Sequence, residues 1–456
     1  MVQSDMPIPQ PGMTTAGSGF RPPVTVVEPS GGIGSFFLLK LFVFCTAPFF
    51  VVTGAMYQLE MFVTGGNVPI SPAVLKILLV CIFLLIFILR GGRISNNPQL
   101  SAVAIVFFGY LLFDSLYLYF GLNLDPSDIA LGYNGYFSLA FLGVLAALVP
   151  MKIRDRRLLQ ALVLLAIVCA LLGVAQYIKN APILPTTSND GNFQVHSALA
   201  SFGGQLRVFS LFDAPQACGL YFVFISALLV ALCRRPLYRW IAVPLLCCSI
   251  GMCLIADART QIAALAWAII ASAVITFWNG KNRTRLLPLG AMLSAIPIML
   301  IALFGGSAGT GGVSSTASFS ERIVEWNYYL TILRSTSISQ LLFGMGFVQN
   351  SKAGSVNVSM YIDNIYLAVA LDIGLIGLIL YLVFAWFLWT EIRRKAESRT
   401  SYLQTALAAT FSTFFLVGVF TNVTSIMCGY FLLYAISDAH EIPATPTSAQ
   451  SVRDAV

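Results

Sequence analysis

The chain has 456 residues, 58% apolar and 10% charged, with a mean hydropathy of +0.83, whereas soluble domains carry roughly 25% charged residues. That composition excludes a soluble enzyme, and the formal charge of +7 sits mostly in short loops between apolar runs, where it reads as membrane orientation and not as a nucleic-acid surface. Continuous apolar runs of about 20 residues, instead of ten-residue alternation, select membrane-spanning helices over a closed barrel.

In chain order, residues 1–35 are rich in Pro, Gly, Ser and Thr and lack an apolar core. They read as a disordered cytoplasmic tail, and the first apolar run starts too late for a signal peptide. Spans are expected near 36–54, 72–90, 100–120, 129–149, 158–178, 214–233, 238–256, 260–278, 286–304, 364–389, 402–420 and 423–437. The last two could instead be one kinked helix through "FFLVGVFTNVTSIMCGYFLL". The fold expected is therefore all-α: a polytopic integral membrane bundle of about twelve helices over 36–437, followed by a cytoplasmic tail at 438–456. All nine cysteines fall inside expected spans without CxxC spacing and read as core filler, and the only histidines, His196 and His440, lie in different loops. No disulfide framework, metal centre or cofactor is expected.

The clusters "KIRDRR" (152–157), "RRPLYR" (234–239), "KNRTR" (281–285) and "RRKAESR" (393–399) follow spans four, six, eight and ten, so they share one side, the cytoplasmic one by the orientation rule. Nineteen of the 26 Lys and Arg then lie inside, and seven lie outside: Lys76, Lys179, Arg207, Arg259, Arg322, Arg334 and Lys352. Two outer loops are long, about 179–212 and 305–363. The second turns helical after "GGSAGTGGVSS": Phe319, Ile323, Trp326, Leu330 and Leu333 recur at helical spacing, and Ser318 and Glu321 have capping-box spacing. It reads as a helix lying on the outer mouth, not as a further span.

Three of the seven outer cations stand near helix ends inside polar clusters: Arg207 in "RVFSLFDAPQACG", Arg259 in "DARTQ" and Arg322 in "SERIVEW". Forked guanidinium donors match phosphate oxygens, and a helix N-terminus favours an anion, so three converging arginines suit a lipid-linked diphosphate. The other members of these clusters, Asp213, Gln216, Asp257, Glu321, Glu325 and Trp326, are candidate contacts to the diphosphate or its sugar, as are Asn364 and Tyr366. Structural roles compete with these: Asp213 and Asp257 as N-caps, Arg259 snorkelling to the headgroups, and Asp363 as N-cap of span ten instead of a general base. Tyr328, Tyr329, Tyr361 and Tyr366 are the candidate sugar platforms, while Asp114, Gln176, Tyr177 and Asp372 are expected to face the bundle interior.

With "RVFSLFDAPQACG", the "DARTQ" hinge, a long outer loop carrying "ERIVEW" and "LLFGMGF", and the opening "DNIYLAVALDIGLIG" in this order, the chain from Arg207 to Trp389 resembles the O-antigen ligase and Wzy-type polymerase superfamily. The resemblance implies a glycosyltransferase at the periplasmic face of a bacterial inner membrane, with both termini cytoplasmic and the long, partly helical loop between spans nine and ten in the periplasm. It implies an undecaprenyl-diphosphate-linked oligosaccharide as donor, with Arg207, Arg259 and Arg322 holding the diphosphate. It implies neither metal nor nucleotide, and it makes a chain-length regulator and a flippase of the same pathway the candidate partners. Ligases of the superfamily carry a histidine where this chain has "YIDNIY", so the departure favours a polymerase of O-antigen or exopolysaccharide, with Asp363 as base. A ligase acting on lipid A core is the alternative. A flippase fits less well, because the charges gather at the outer mouth and no half of the sequence repeats.

Overall fold

The computed structural model describes residues 41–438 apart from 53–54, 68–71, 90–97, 149–152, 188, 190–205, 257–258, 279–283, 292, 295–323, 325, 347–363, 398–400 and 419–423. The tails expected at 1–35 and beyond 438 lie outside the described residues. After a helical turn at 41–46 and a 3-10 turn at Ala47–Phe50, the elements are α1 (Ala55–Thr64), α2 (Pro72–Leu89), α3 (Pro98–Phe120), α4 (Pro126–Tyr136) and α5 (Ser138–Leu148). Next come the strand β1 (Ile153–Arg154), α6 (Asp155–Lys179), α7 (Pro215–Leu232), α8 (Pro236–Ile255), α9 (Arg259–Phe277), α10 (326–335) and α11 (Ile338–Phe343). The chain closes with α12 (Ile365–Glu397), α13 (Tyr402–Val417), α14 (Thr424–Ile436) and β2 (Ser437–Asp438). Proline opens α2, α3, α4, α7 and α8, where its missing N–H would have had no intrahelical partner and its fixed φ suits the first turn.

Among the described residues, six helices are long and apolar enough to cross a membrane: Gln99–Phe120, Asp155–Lys179, Pro215–Leu232, Pro236–Ile255, Thr260–Phe277 and Ile365–Glu397. The span expected at 129–149 is instead two helices meeting at Phe137, after the helix-poor "YNGY". Of the span expected at 36–54, the described residues form the helical turn at 41–46 and the 3-10 turn, and α1 follows. Of the closing stretch, the described residues form α13, with its C-cap at Gly418, and α14.

The centre is α7, buried on almost every face, as its uninterrupted apolar sequence requires. Its neighbours are held by small polar contacts: Ser249 Oγ donates to Phe222 O at 2.8 Å, Ser272 Oγ to Ala227 O at 2.7 Å, and Tyr221 Oη to Leu162 O at 2.7 Å. Between apolar helices in lipid, such contacts and close packing supply the association that hydrophobic burial supplies in water. Cys169, Cys218 and Cys253 fill this core, but Cys45, Cys81, Cys247 and Cys248 are exposed on the bundle's outer surface. Core filler is therefore right for only part of the set, because a lipid-facing surface accepts a small apolar thiol as readily as a core does.

α12 is not continuous: Gly374 has φ +75° and ψ 176°, which interrupts the ladder two turns into the helix. The carbonyls freed by the break are taken up from outside the helix. Met345 N donates to Leu371 O at 2.8 Å, Gly346 N to Asp372 O at 3.2 Å, and Tyr110 Oη to Ile373 O at 2.6 Å. The two backbone donors directly follow α11, which starts with a capping box (Ser337 and Gln340) and stops at its C-cap, Gly344. Phe343 of α11 stacks edge-on against Phe113 and lies against Tyr117, both on α3.

Asp114 and Gln176 are fully buried and Asp372 nearly so, as expected; Tyr177 instead stands 40% exposed. Asp114 Oδ2 accepts from Tyr133 Oη at 2.8 Å. Removing that donor leaves a buried carboxyl group unsatisfied, so Tyr133→Phe is expected to destabilise the protein by about 1–3 kcal/mol. Thermal unfolding in detergent checks this; an unchanged midpoint would contradict the pairing.

The basic clusters meet at one end of the bundle. β1 pairs in parallel with β2 (Ile153 with Ser437, Arg154 with Asp438), and Ser401 hydrogen-bonds Asp155. Thr284 hydrogen-bonds Glu397, Gln404 hydrogen-bonds Ser437, and Arg235 lies over the ring of Tyr402. These contacts join residues from all four basic segments or their flanks, which is the one-sidedness that the orientation rule required.

Candidate active site

At the opposite end, the chain enters α7 through residues 206–214, most of which are buried although they are not helical: Val208, Phe209, Ser210 and Phe212 are all fully buried. An irregular backbone inside an apolar bundle must find partners for its N–H and C=O groups. Here Leu206 N donates to Asn180 Oδ1 (2.6 Å), Val208 N to Ile255 O (3.3 Å) and Ser210 N to Gln176 Oε1 (2.8 Å). Gln176 Nε2 returns a bond to Ser210 O (3.3 Å), and Gln58 Nε2 donates to Phe212 O (2.9 Å). Ser210, at φ +53°, adds a bond from Oγ to Cys169 O at 2.7 Å. Arg207 is half-buried between two pinned residues, and Asp213 and Gln216 are half-buried beside it in sequence. The N-cap of α7 is Ala214, without a side-chain cap, so the capping role expected of Asp213 is not the one it has. Because Pro215 takes the first helical position, the cap falls on the residue directly before it.

The bond from Val208 to Ile255 ties this segment to the end of α8, and α9 then opens on Arg259 itself. On the buried stripe of α9, Gln261, Ala264, Leu265 and Ala268 follow each other at helical spacing. One and two turns beyond Arg259, Ala263 and Trp267 pack with Trp326 of α10 around Ala291 and Leu416. Trp267 Nε1 is held by Ser412 Oγ at 3.2 Å. The end of α13 meets the start of α12, where Ile365 N donates to Gly418 O at 2.9 Å.

Asn364 caps α12: its Oδ1 accepts from Tyr366 N and Leu367 N, both at 3.0 Å. Tyr366 Oη donates to Phe415 O at 3.2 Å, beside an apolar groove lined by Tyr381, Leu382 and Met427. Tyr329 is fully buried against Ala368 and Leu371, so it is packing and not a sugar platform; Tyr328, 47% exposed, keeps a free face. The helical stripe expected on the loop is shifted accordingly, with Trp326, Tyr329 and Leu333 packed inward and Leu330 42% exposed. Asp257, Glu321, Arg322, Glu325, Tyr361 and Asp363 lie outside the described residues, as does the capping box expected at Ser318 and Glu321.

The segments that carry the candidate residues thus form one linked series: 206–214, the start of α9, α10, the end of α13 and the start of α12. Sequence reasoning missed the residues that hold it, Gln58 and Asn180, and saw Gln176 only as an interior residue. Their signal was available, since a glutamine inside an apolar run needs a polar partner.

A bundle of apolar helices with a polar series of helix ends opposite its basic end defines a polytopic membrane protein with a candidate site at one mouth. Residues 244–382, from α8 into α12, match the family model described as O-Antigen ligase. That family is one of glycosyl-transfer enzymes, and the match takes in the "DARTQ", "ERIVEW", "LLFGMGF" and "DNIYLAVALDIGLIG" motifs, whereas "RVFSLFDAPQACG" lies before it. Comparison with curated proteins gives no match.

Proposed function

We propose that the protein is a Wzy-type polymerase of O-antigen or exopolysaccharide. It transfers a growing glycan from undecaprenyl diphosphate to the terminal sugar of another lipid-linked repeat unit, at the periplasmic face of the inner membrane. The observation that carries this reading is the linkage of the Arg207 segment, through Ile255, to the helix opening on Arg259, at the end of the bundle opposite the basic loops. Cations at that end oppose the orientation rule, and an anionic ligand explains them.

In this reading the guanidiniums of Arg207, Arg259 and Arg322 bind the diphosphate and stabilise the charge that grows on it as the sugar–phosphate bond breaks. The free energy of transfer is already in that bond, so the reaction calls for no nucleotide, and the arginines supply the charge neutralisation that a metal would otherwise provide. Asp363 takes the proton of the acceptor hydroxyl. Asn364 satisfies the first N–H groups of α12. The half-buried Asp213 and Gln216, with Asp257, Glu321, Glu325 and Trp326, line the diphosphate and sugar positions.

The family description favours a second reading, a ligase that delivers glycan to lipid A core. The chain's two histidines, His196 and His440, both lie away from "YIDNIY", which favours the polymerase. Purified protein in vesicles, given lipid-linked repeat units alone, is expected to produce a ladder of longer lipid-linked glycans. Products that appear only when lipid A core is added would make it a ligase instead.

A further inference from the structure

We propose that Gln176 is a positioning residue for Arg207, with Gln58 as its second support; the inference rests on the diphosphate-binding reading above. The segment 206–212 cannot make a helical ladder, because Pro215 starts α7 and Ser210 sits at φ +53°. It is nevertheless inside the bundle, and it is pinned at every second residue: Leu206 by Asn180, Val208 by Ile255, Ser210 by Gln176 and Phe212 by Gln58.

A primary amide copies a peptide group, with one acceptor and a pair of donor hydrogens. Gln176 uses both sides on one residue: Oε1 accepts from Ser210 N at 2.8 Å and Nε2 donates to Ser210 O at 3.3 Å, a two-point pairing like a bridge between strands. An apolar side chain at 176 would leave both groups of Ser210 buried and unmet. Gln58 meets a single group, the Phe212 carbonyl, on the other flank. Both glutamines are fully buried; Gln176 comes from α6, the helix before the segment, and Gln58 from α1, 154 positions away from Phe212.

Arg207 lies between two of the pins, its backbone fixed on both sides and its side chain half-buried. A cation that must meet developing charge without rearranging requires this kind of fixed support. The two glutamines provide it through the backbone, without touching the ligand.

The test is a double-mutant cycle on purified full-length protein in nanodiscs, reading affinity for undecaprenyl diphosphate without glycan, with thermal unfolding measured in parallel. Gln176→Leu is expected to weaken binding about tenfold in the wild-type background and by less than about twofold in the Arg207→Ala background. Additive losses, or unchanged binding in Gln176→Leu while Arg207→Ala binds weakly, would overturn the positioning role and leave the diphosphate reading standing. If Arg207→Ala binds as wild type does, the diphosphate reading fails at this residue and the positioning role falls with it. Should Gln176→Leu not fold, Gln58→Leu decides by the same cycle: it removes one donor, and its loss, about threefold, is again expected to vanish in Arg207→Ala.

Discussion

Gly374→Ala is expected to lose most of the folded protein. At φ +75° and ψ 176° this residue occupies a region open essentially to glycine alone, and a Cβ there would lie 2.2 Å from Leu342 O. Gly344 faces it in the same condition, at φ +88°, and its Cβ would lie 2.3 Å from Asp372 O. Both obstacles are backbone atoms that cannot swing aside. Backbone strain and lost docking bonds together cost on the order of 4–5 kcal/mol for either substitution, at the extreme of single-residue effects. Gly109→Ala is the control: nothing stands within 4 Å of its Cβ position, and alanine is the better helix former. Thermal unfolding in detergent should therefore fall sharply for Gly374→Ala and Gly344→Ala and hold for Gly109→Ala. Equal midpoints in all three would mean that the break in α12 and its docked segment do not exist as described.

The second large effect is on rate. Arg259→Ala is expected to slow glycan transfer by about 10²–10³-fold, the usual loss when one donor to developing negative charge is removed. Arg259→Lys should recover only part of this, since a lysine keeps the charge but not the planar fork that engages two phosphate oxygens at once. Unfolding midpoints should stay near wild type in both variants, because the substitution is at the first residue of α9 and leaves the buried stripe of Gln261, Ala264 and Leu265 intact. The alternative role for Arg259, snorkelling to headgroups, predicts the opposite pattern: lysine would replace arginine fully and transfer would be unaffected.

Much of this fold was legible because it is local. The unbroken apolar run of α7, the prolines that open five helices and the one-sided basic clusters each follow from neighbouring residues. The interior course of 206–214 was not legible: its partners include Gln58, 154 positions away from Phe212, and no local pattern shows that an apparent loop is buried. The break at Gly374 hid for the same reason. Glycine is common in membrane helices, and only the docking of Gly344 to Gly346 decides that this one leaves the helix. On α10 the helical period was read correctly but with its centre one residue off, because the surfaces of α9, α12 and α13 choose Tyr329 over Leu330. The arginine-bearing motifs were legible as outliers from the orientation rule, and the structure adds the contacts that join their segments. Asp213 shows the reverse: a sound local argument made it a cap, and the helix begins one residue later.

The most direct measurement is the chain length of the surface polysaccharide made by host cells whose copy of this protein carries Arg259→Ala. If the arginines hold a lipid diphosphate while an acceptor sugar displaces it, those cells will show single capped repeat units in place of the long ladder. Normal long polymer from Arg259→Ala, at wild-type protein levels in the membrane, would contradict that account.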